Sequence, residues 1–141
     1  MNAGRNNPDT KRRQLSILVA DDDRDTLNTL AAVLADEGHL VHTCSNATFA
    51  LTAIQRYKPD VCVLDIVMPG KTGFSIVRDI FALKLPVRPV LIAVSGVFTR
   101  PSDDIVAKSV GFDYFVRKGA SPSELLRIIN HLAGDEPSSA A

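Results

Sequence analysis

The chain has 141 residues, of which 45% are hydrophobic and 23% are charged. This length and composition suit one domain with a sizeable core and are short of two. Sixteen Lys and Arg balance sixteen Asp and Glu, so the whole chain has no net positive charge that would attract nucleic acid or an anionic membrane. We therefore expect neither nucleic acid nor membrane among its partners.

The cysteine content and the apolar segments indicate the compartment. Cys44 and Cys62 lie within apolar stretches, and so small a number predicts reduced thiols packed in a core rather than a disulfide framework. No apolar segment approaches the length of a membrane span, and the polar start lacks the apolar centre of a signal peptide. The sequence thus predicts a soluble, cytoplasmic protein.

Three segments follow one another along the chain. Residues 1–13 are rich in Asn, Pro, Gly and charge, which is typical of a disordered leader. Residues 14–134 have a regular alternation of apolar runs and helical patterns, and residues 135–141 are small and polar, as in a flexible tail. Within the regular part, the short apolar runs that predict strands are 15–20, 40–44, 61–64, 90–94 and 114–117.

Helical patterns separate these runs. Apolar residues follow the i, i+3, i+4, i+7 spacing over 27–34 and 125–132, with a narrower stripe over 47–54 and a weak one over 102–110. Five strands in alternation with helical patterns predict a doubly wound α/β fold with a parallel sheet.

Polar side chains stand where four of the predicted strands end. They are Asp21, Asp22 and Asp23 after the first, Asp65 after the third, Ser95 after the fourth, and Arg117 and Lys118 at the fifth. The carboxyl ends of parallel strands form one edge of the sheet, where ligands bind in this class of fold. Adjacent carboxylates repel one another and resist desolvation, and Mg²⁺ relieves this conflict because it prefers oxygen ligands. One carboxylate left over is then suited to act as a nucleophile toward phosphorus.

Four segments, in this order, resemble the successive motifs of the receiver domain of bacterial two-component response regulators. They are ILVADDDRD, VCVLDIVMPGKTGF, PVLIAVSG and DYFVRKGASPSEL. The match runs from about residue 15 to about residue 133. The resemblance implies a flavodoxin-like fold, with five helices around a five-stranded parallel sheet of order 2-1-3-4-5.

The resemblance also implies a function. Members of this family accept a phosphoryl group on an aspartate, with Mg²⁺, from a sensor histidine kinase or a histidine phosphotransfer protein. The matching residue here is Asp65. A downstream protein partner would then read the face formed by the fourth helix, fifth strand and fifth helix, and the phosphorylated form could dimerise. Such a protein is a signalling switch that catalyses its own phosphotransfer and slow autodephosphorylation, not an enzyme with a separate substrate.

The family's metal site falls on four positions of this chain. By the resemblance, Asp22 and Asp65 are direct ligands of the metal, Asp21 holds a metal-bound water, and Val67 supplies a backbone carbonyl. Asp23 falls on a variable position, and we assign it a charge role at the start of a helix instead.

The phosphoryl site and the switch fall on further positions. Ser95 matches the hydroxyl residue that bonds the phosphoryl oxygen and moves inward after phosphorylation. Lys118 matches the lysine that pairs with the phosphoryl group and, before it, with Asp65. Arg117 is adjacent and remains a second candidate for this cation. If Lys118 is the cation, the aromatic switch position is Phe115, which lacks a hydroxyl.

Two further positions concern the lifetime of the phosphorylated state. In this family the residues two beyond the phosphorylated aspartate and two beyond the hydroxyl residue help to orient the hydrolytic water, and here they are Val67 and Val97. Neither side chain can hydrogen-bond a water molecule. We therefore expect a long-lived aspartyl phosphate.

Several other functions are compatible with parts of the pattern. A dinucleotide-binding enzyme would need a glycine-rich turn where this chain has ADDDRD, whose acids would repel a pyrophosphate. A phosphatase of the haloacid dehalogenase type would need an aspartate at the position of Val67. A degenerate receiver that acts only as a protein-interaction module, and a receiver that is a fragment of a larger regulator, both remain open alternatives.

Overall fold

The computed structural model describes residues 13–68, 72–96, 103–119 and 121–134. The expected leader, apart from residue 13, and the expected tail lie outside these described residues, as does Val97. None of the described helices combines the length and the apolar character that crossing a bilayer requires.

Five strands alternate with five helices along the described chain. The strands are β1 (Ser16–Ala20), β2 (Leu40–Cys44), β3 (Val61–Asp65), β4 (Val90–Ser95) and β5 (Tyr114–Arg117). The helices are α1 (Arg24–Asp36), α2 (Ala47–Tyr57), α3 (Gly73–Ala82), α4 (Asp103–Ser109) and α5 (Ser123–Leu132). All strand pairs are parallel and the order is β2-β1-β3-β4-β5, which confirms the flavodoxin-like topology.

The three central strands are apolar along their length because helices cover both faces of the sheet. One buried cluster joins the sheet to α2, α3 and α4, through side chains such as Leu18, Ile54 and Val77. A second cluster joins the opposite face to α1 and α5, through side chains such as Leu34 and Ile129. The edge strand β2 is more exposed, as its pattern of polar and apolar residues requires.

Strands β3 and β4 each extend one residue beyond the predicted end. Asp65 pairs with Val94, and Ser95 pairs with Arg117, so the ladder continues to the last polar residue. The apolar pattern could not show this, because a polar side chain at the end of a strand looks like the start of a loop. Both polar side chains are therefore held by sheet backbone rather than by a loop.

Both cysteines are free and buried, as the sequence predicts. Burial raises the pKa of the Cys62 thiol to about 12. The thiol therefore stays protonated at neutral pH and is a poor nucleophile or metal ligand.

Helix α4 packs less tightly than the other helices. Among its described side chains only Ala107 is buried, while Ile105 is 72% exposed and Val106 is 47% exposed. Few buried contacts hold this helix to the sheet, so its displacement costs less free energy than displacement of the others.

Gly111, which follows α4, has no room for a side chain. Its φ is +120°, and a Cβ atom there would overlap the Phe81 ring and lie 2.9 Å from a Val77 methyl. Gly38 also has a positive φ, +99°, but has open space around it. The first glycine is thus required by both conformation and packing, and the second by conformation alone.

We expect Gly111→Ala to lower the free energy of unfolding by about 3 kcal/mol, from backbone strain plus overpacking. Gly38→Ala should cost about 1 kcal/mol, from strain alone. Urea denaturation of both variants measures the difference. Gly119→Ala is the matched control, because that position has open space and no positive φ, and equal losses in all three variants would contradict the packing argument.

Candidate functional site

Four strand ends bring polar side chains to one edge of the sheet. Asp21 directly follows β1, and its N–H donates to the Cys44 carbonyl at 3.0 Å, which continues the sheet. Asp65 and Ser95 are the last residues of β3 and β4. Lys118 directly follows β5, and its N–H donates to the Ser95 carbonyl at 2.9 Å. The parallel ladder thus places residues that are far apart in sequence side by side.

Three carboxylates form a cluster at this edge. Asp21, Asp22 and Asp65 offer one oxygen each, and these oxygens all lie within 4.8 Å of one another. Asp21 and Asp65 are buried, with 2% and 5% of their surface exposed, whereas Asp22 is exposed. Two acids therefore line the floor of the site and the third stands at its rim.

The Lys118 ammonium contacts both buried acids. Its Nζ lies 3.0 Å from Asp21 Oδ2 and 3.2 Å from Asp65 Oδ2. Burial disfavours its charge, but the hydrogen bonds and charges of the two carboxylates outweigh burial, so the pKa of Lys118 is raised. The neighbouring Arg117 guanidinium instead lies over the Phe115 ring, with Cζ 5.2 Å from its centroid. Of the two adjacent cations, Lys118 is the one that reaches the acids.

One ammonium does not balance the negative charge of the cluster. Burial and the charge of Asp21 raise the pKa of Asp65 to about 6, although Lys118 and a hydrogen bond from the Val67 N–H, at 3.2 Å, act in the opposite direction. The Asp65 carboxylate is therefore held in an ionised form at a free-energy cost at neutral pH. A further positive charge at this place would lower that cost.

The other residues expected at the site lie around this cluster. Ser95 is fully buried at the end of β4. The Val67 side chain is 50% exposed, two residues beyond Asp65. Phe115 is 8% exposed and belongs to the core cluster that includes Ala107 of α4. The aromatic ring thus occupies an inward position against the helix that packs least tightly.

Asp23 caps the first helix. Its carboxylate accepts hydrogen bonds from the Asp25 N–H at 3.3 Å and from the Thr26 hydroxyl at 2.7 Å. The Thr26 hydrogen bond is the main reason that the pKa of Asp23 is lowered. The residue therefore does have the helix N-terminal role expected from sequence, and it lies outside the cluster of three carboxylates.

Two contacts of the site were not expected from sequence. The resemblance predicts that Lys118 pairs with Asp65, and the structure adds a shorter contact with Asp21. The Asp23 N–H also donates to Asp21 Oδ1 at 2.9 Å. No sequence pattern signals either contact, because each depends on the orientation of one carboxylate inside a folded loop.

The raised pKa of Asp65 predicts a dependence of stability on pH. Its value rises from 3.8 to about 6 on folding, so the folded state binds the proton more tightly than the unfolded chain. The stabilisation is complete below pH 4 and is lost as the pH rises through about 6. Asp65→Asn replaces the carboxylate with an amide that stays uncharged at every pH. In EDTA, which removes metal ions, we expect this variant at pH 8 to have a free energy of unfolding higher by on the order of 1–3 kcal/mol.

Urea denaturation of both proteins across pH 4–8 measures this effect. The two curves should converge near pH 4, where Asp65 is protonated. Asp113→Asn is a control, since that carboxylate lies outside the site and pairs with Arg88 at 3.4 Å. A wild type that gains stability relative to Asp65→Asn between pH 4 and pH 8 would contradict the prediction.

Comparison with known proteins identifies the family to which this chain belongs. A family model described as the response regulator receiver domain matches residues 17–130. An uncharacterised 14.6 kDa protein of Leptolyngbya boryana is 35% identical over 117 residues, which cover 82% of this chain and 88% of that protein. The response regulator SaeR of Staphylococcus aureus is 31% identical over 116 residues, but this chain spans only about half of its length, 49%.

Solved structures agree with this assignment. The receiver domain protein from Methanospirillum hungatei, described as CheY-like, has a TM-score of 0.74 and 25% identity over 92% of this chain and all of that one. The chemotaxis protein CheY4 of Vibrio cholerae has a TM-score of 0.76 and 24% identity over 84% of this chain and 98% of its own, which shows the shared fold. With the family model, the relatives and the strand-end cluster in agreement, the chain belongs to the response regulator receiver domain family.

Proposed function

We propose that this receiver domain accepts a phosphoryl group on Asp65 from a sensor histidine kinase or a histidine phosphotransfer protein, and that Mg²⁺ is required. The observation that carries the proposal is the placement of the Asp65 carboxylate. It lies 3.2 Å from the Lys118 ammonium and beside the carboxylates of Asp21 and Asp22, at the edge of the sheet where ligands bind.

The residues of the cluster fit a magnesium ion. Their carboxylate oxygens, within 4.8 Å of one another, are hard donors of the kind that Mg²⁺ prefers. The raised pKa of Asp65 supports the fit, because it reflects a shortage of positive charge. Asp22, Asp65 and the Val67 carbonyl would hold the ion, and Asp21 would hold one of its waters. When bound, Mg²⁺ would neutralise charge on the phosphoryl oxygens during transfer.

The chain's own groups account for the rest of the transfer. An Asp65 carboxylate oxygen attacks phosphorus, and the phosphorus–nitrogen bond to the donor's histidine breaks, so the electron pair leaves with the imidazole. Lys118 already contacts Asp65 and needs only a small movement to pair with a phosphoryl oxygen. No external oxidant or additional substrate is required.

The switch follows from the position of Ser95 in β4. Its hydroxyl would bond a phosphoryl oxygen, draw in the chain that follows β4, and change the space available to Phe115. Helix α4 would respond most readily, because Ala107 is the only buried side chain among those described in it. A downstream protein would read the face formed by α4, β5 and α5, and the phosphorylated form could use the same face to dimerise.

The buried, free thiols of Cys44 and Cys62 fit a reducing compartment. We therefore place this switch in the cytoplasm, where a kinase can reach it.

Incubation with acetyl phosphate and Mg²⁺ should add the mass of one phosphoryl group to the wild type, as measured by intact mass spectrometry. Asp65→Asn should gain none, because its amide cannot act as the nucleophile. Lys118→Gln should be phosphorylated at least about tenfold more slowly, since it loses charge stabilisation of the transferred group.

Arg117→Gln is the matched control for the lysine, because it removes a neighbouring cation that lies over Phe115. Its rate should remain close to that of the wild type. A wild type that gains no phosphoryl group, even in the presence of Mg²⁺ and phosphoramidate, would leave only the role of a protein-interaction module.

The aspartyl phosphate should be long-lived, because the half-exposed Val67 side chain cannot orient a hydrolytic water. Val67→Asn introduces a polar group at that position, and we expect it to shorten the half-life of the purified phosphoprotein by about tenfold. The measurement is loss of the phosphoryl mass with time in Mg²⁺.

Val87→Asn is the matched control, since Val87 is 85% exposed and lies before β4, at the opposite end of that strand from Ser95. Its half-life should equal that of the wild type. Rapid loss of the phosphoryl group from the wild type, abolished by EDTA, would overturn the prediction of a long lifetime.

A further inference from the structure

The loop between β1 and α1 consists of residues 21–23, and two of its three acids belong to the carboxylate cluster. We propose that the third, Asp23, is a positioning residue that sets the orientation of Asp21 and Asp22 for metal binding. This inference rests on the proposed magnesium site. It assigns Asp23 an effect on metal affinity although Asp23 contributes no ligand.

Hydrogen bonds hold both the side chain and the backbone of Asp23. Its carboxylate caps α1 through the Asp25 N–H and the Thr26 hydroxyl. Its carbonyl accepts the first helical bond, from the Leu27 N–H at 2.9 Å. Together these bonds hold its backbone in an extended conformation, with φ −82° and ψ 110°, which is the geometry of an N-cap residue.

That conformation directs the Asp23 N–H toward the site. The N–H donates to Asp21 Oδ1 at 2.9 Å, while Asp21 Oδ2 contacts the Lys118 ammonium at 3.0 Å. Each oxygen of the buried Asp21 carboxylate therefore has a partner, one a backbone N–H and the other a cation. These two contacts set the plane of the carboxylate. If the cap were lost, the N–H would be free to turn away and Asp21 would keep only the lysine contact.

Asp22 depends on the same arrangement. It stands between Asp21, whose N–H is anchored on the Cys44 carbonyl, and Asp23, which is anchored on the helix. With both neighbours fixed, its backbone has little freedom, and its exposed carboxylate stays within reach of Asp65. The first turn of α1 thus acts as a rigid support for Asp22, the residue that directly precedes the helix cap.

A simple charge effect is the rival explanation, because Asp23 is also an anion near the site. The two explanations differ for Asp23→Asn, which removes the charge but keeps a side chain that caps helices as well as aspartate does. Asp23→Ala removes both. Asp25→Ala removes a neighbouring exposed carboxylate in the same turn and leaves the cap in place, so it is the matched control for charge.

Isothermal titration with MgCl₂ measures the dissociation constant of each variant. We expect Asp23→Ala to bind Mg²⁺ about tenfold or more weakly, as is typical when a group that orients a metal ligand is removed. Asp23→Asn and Asp25→Ala should stay within about threefold of the wild type, which is the size of a screened surface charge effect. Thr26→Ala, which removes the shorter of the two cap bonds, should lie between them.

An NMR measurement on the metal-free protein tests the positioning directly. The Asp23 amide proton should resonate downfield in the wild type and in Asp23→Asn, because it donates to a carboxylate. Asp21→Asn should move that signal upfield. Amide 23 of Asp23→Ala should lose the downfield shift, while the rest of the spectrum reports an intact fold.

The outcomes separate the inference from the function on which it rests. Absence of Mg²⁺ binding in the wild type would remove the proposed function and this inference with it. Binding that is normal in the wild type and unchanged in Asp23→Ala would remove the inference alone, and equal weakening in the Ala and Asn variants would replace it with the charge effect. If Asp23→Ala does not fold, Thr26→Ala carries the test, and unchanged affinity there would overturn the inference.

Discussion

Two buried carboxylates that share one ammonium form the interaction around which the site is organised. Asp21 and Asp65 lie on adjacent strand ends, and the Lys118 Nζ contacts both within 3.2 Å. Their mutual repulsion and their desolvation exceed what one cation offsets, so the pKa of Asp65 rises to about 6. The apolar clusters on both faces of the sheet supply the stability that tolerates this conflict. A site with a standing shortage of positive charge is suited to bind a cation.

The molecule has a rigid part, which is the site, and a loosely packed part, which is α4. The acids are held by strand ends and by the capped start of α1, where backbone hydrogen bonds leave little freedom. Helix α4, in contrast, buries only Ala107 among its described side chains, and Ala107 shares a core cluster with the ring of Phe115. The site is therefore a fixed centre, whereas displacement of α4 costs less free energy.

Most of the site's composition was accessible from sequence because strand ends of a parallel sheet meet at one edge. The residues Asp21, Asp22, Asp65, Ser95 and Lys118 could be assembled in this way. The sequence favoured Lys118 over Arg117 but left Arg117 as a second candidate, because the register of β5 is set by its pairing with β4. The structure places the Lys118 ammonium beside the carboxylates and the Arg117 guanidinium over the Phe115 ring.

The order of apolar runs and helical stripes determined by itself the fold class and the set of polar residues at the sheet edge, because hydrophobic period and chain order are properties of the sequence. The strand order was expected only from the resemblance to the receiver family. Only the tertiary structure decided how each carboxylate is oriented. The hydrogen bond from the Asp23 N–H to Asp21 and the double contact of Lys118 depend on backbone angles and side-chain directions. These emerge only when strands distant in sequence pack together and a helix cap fixes the loop between them.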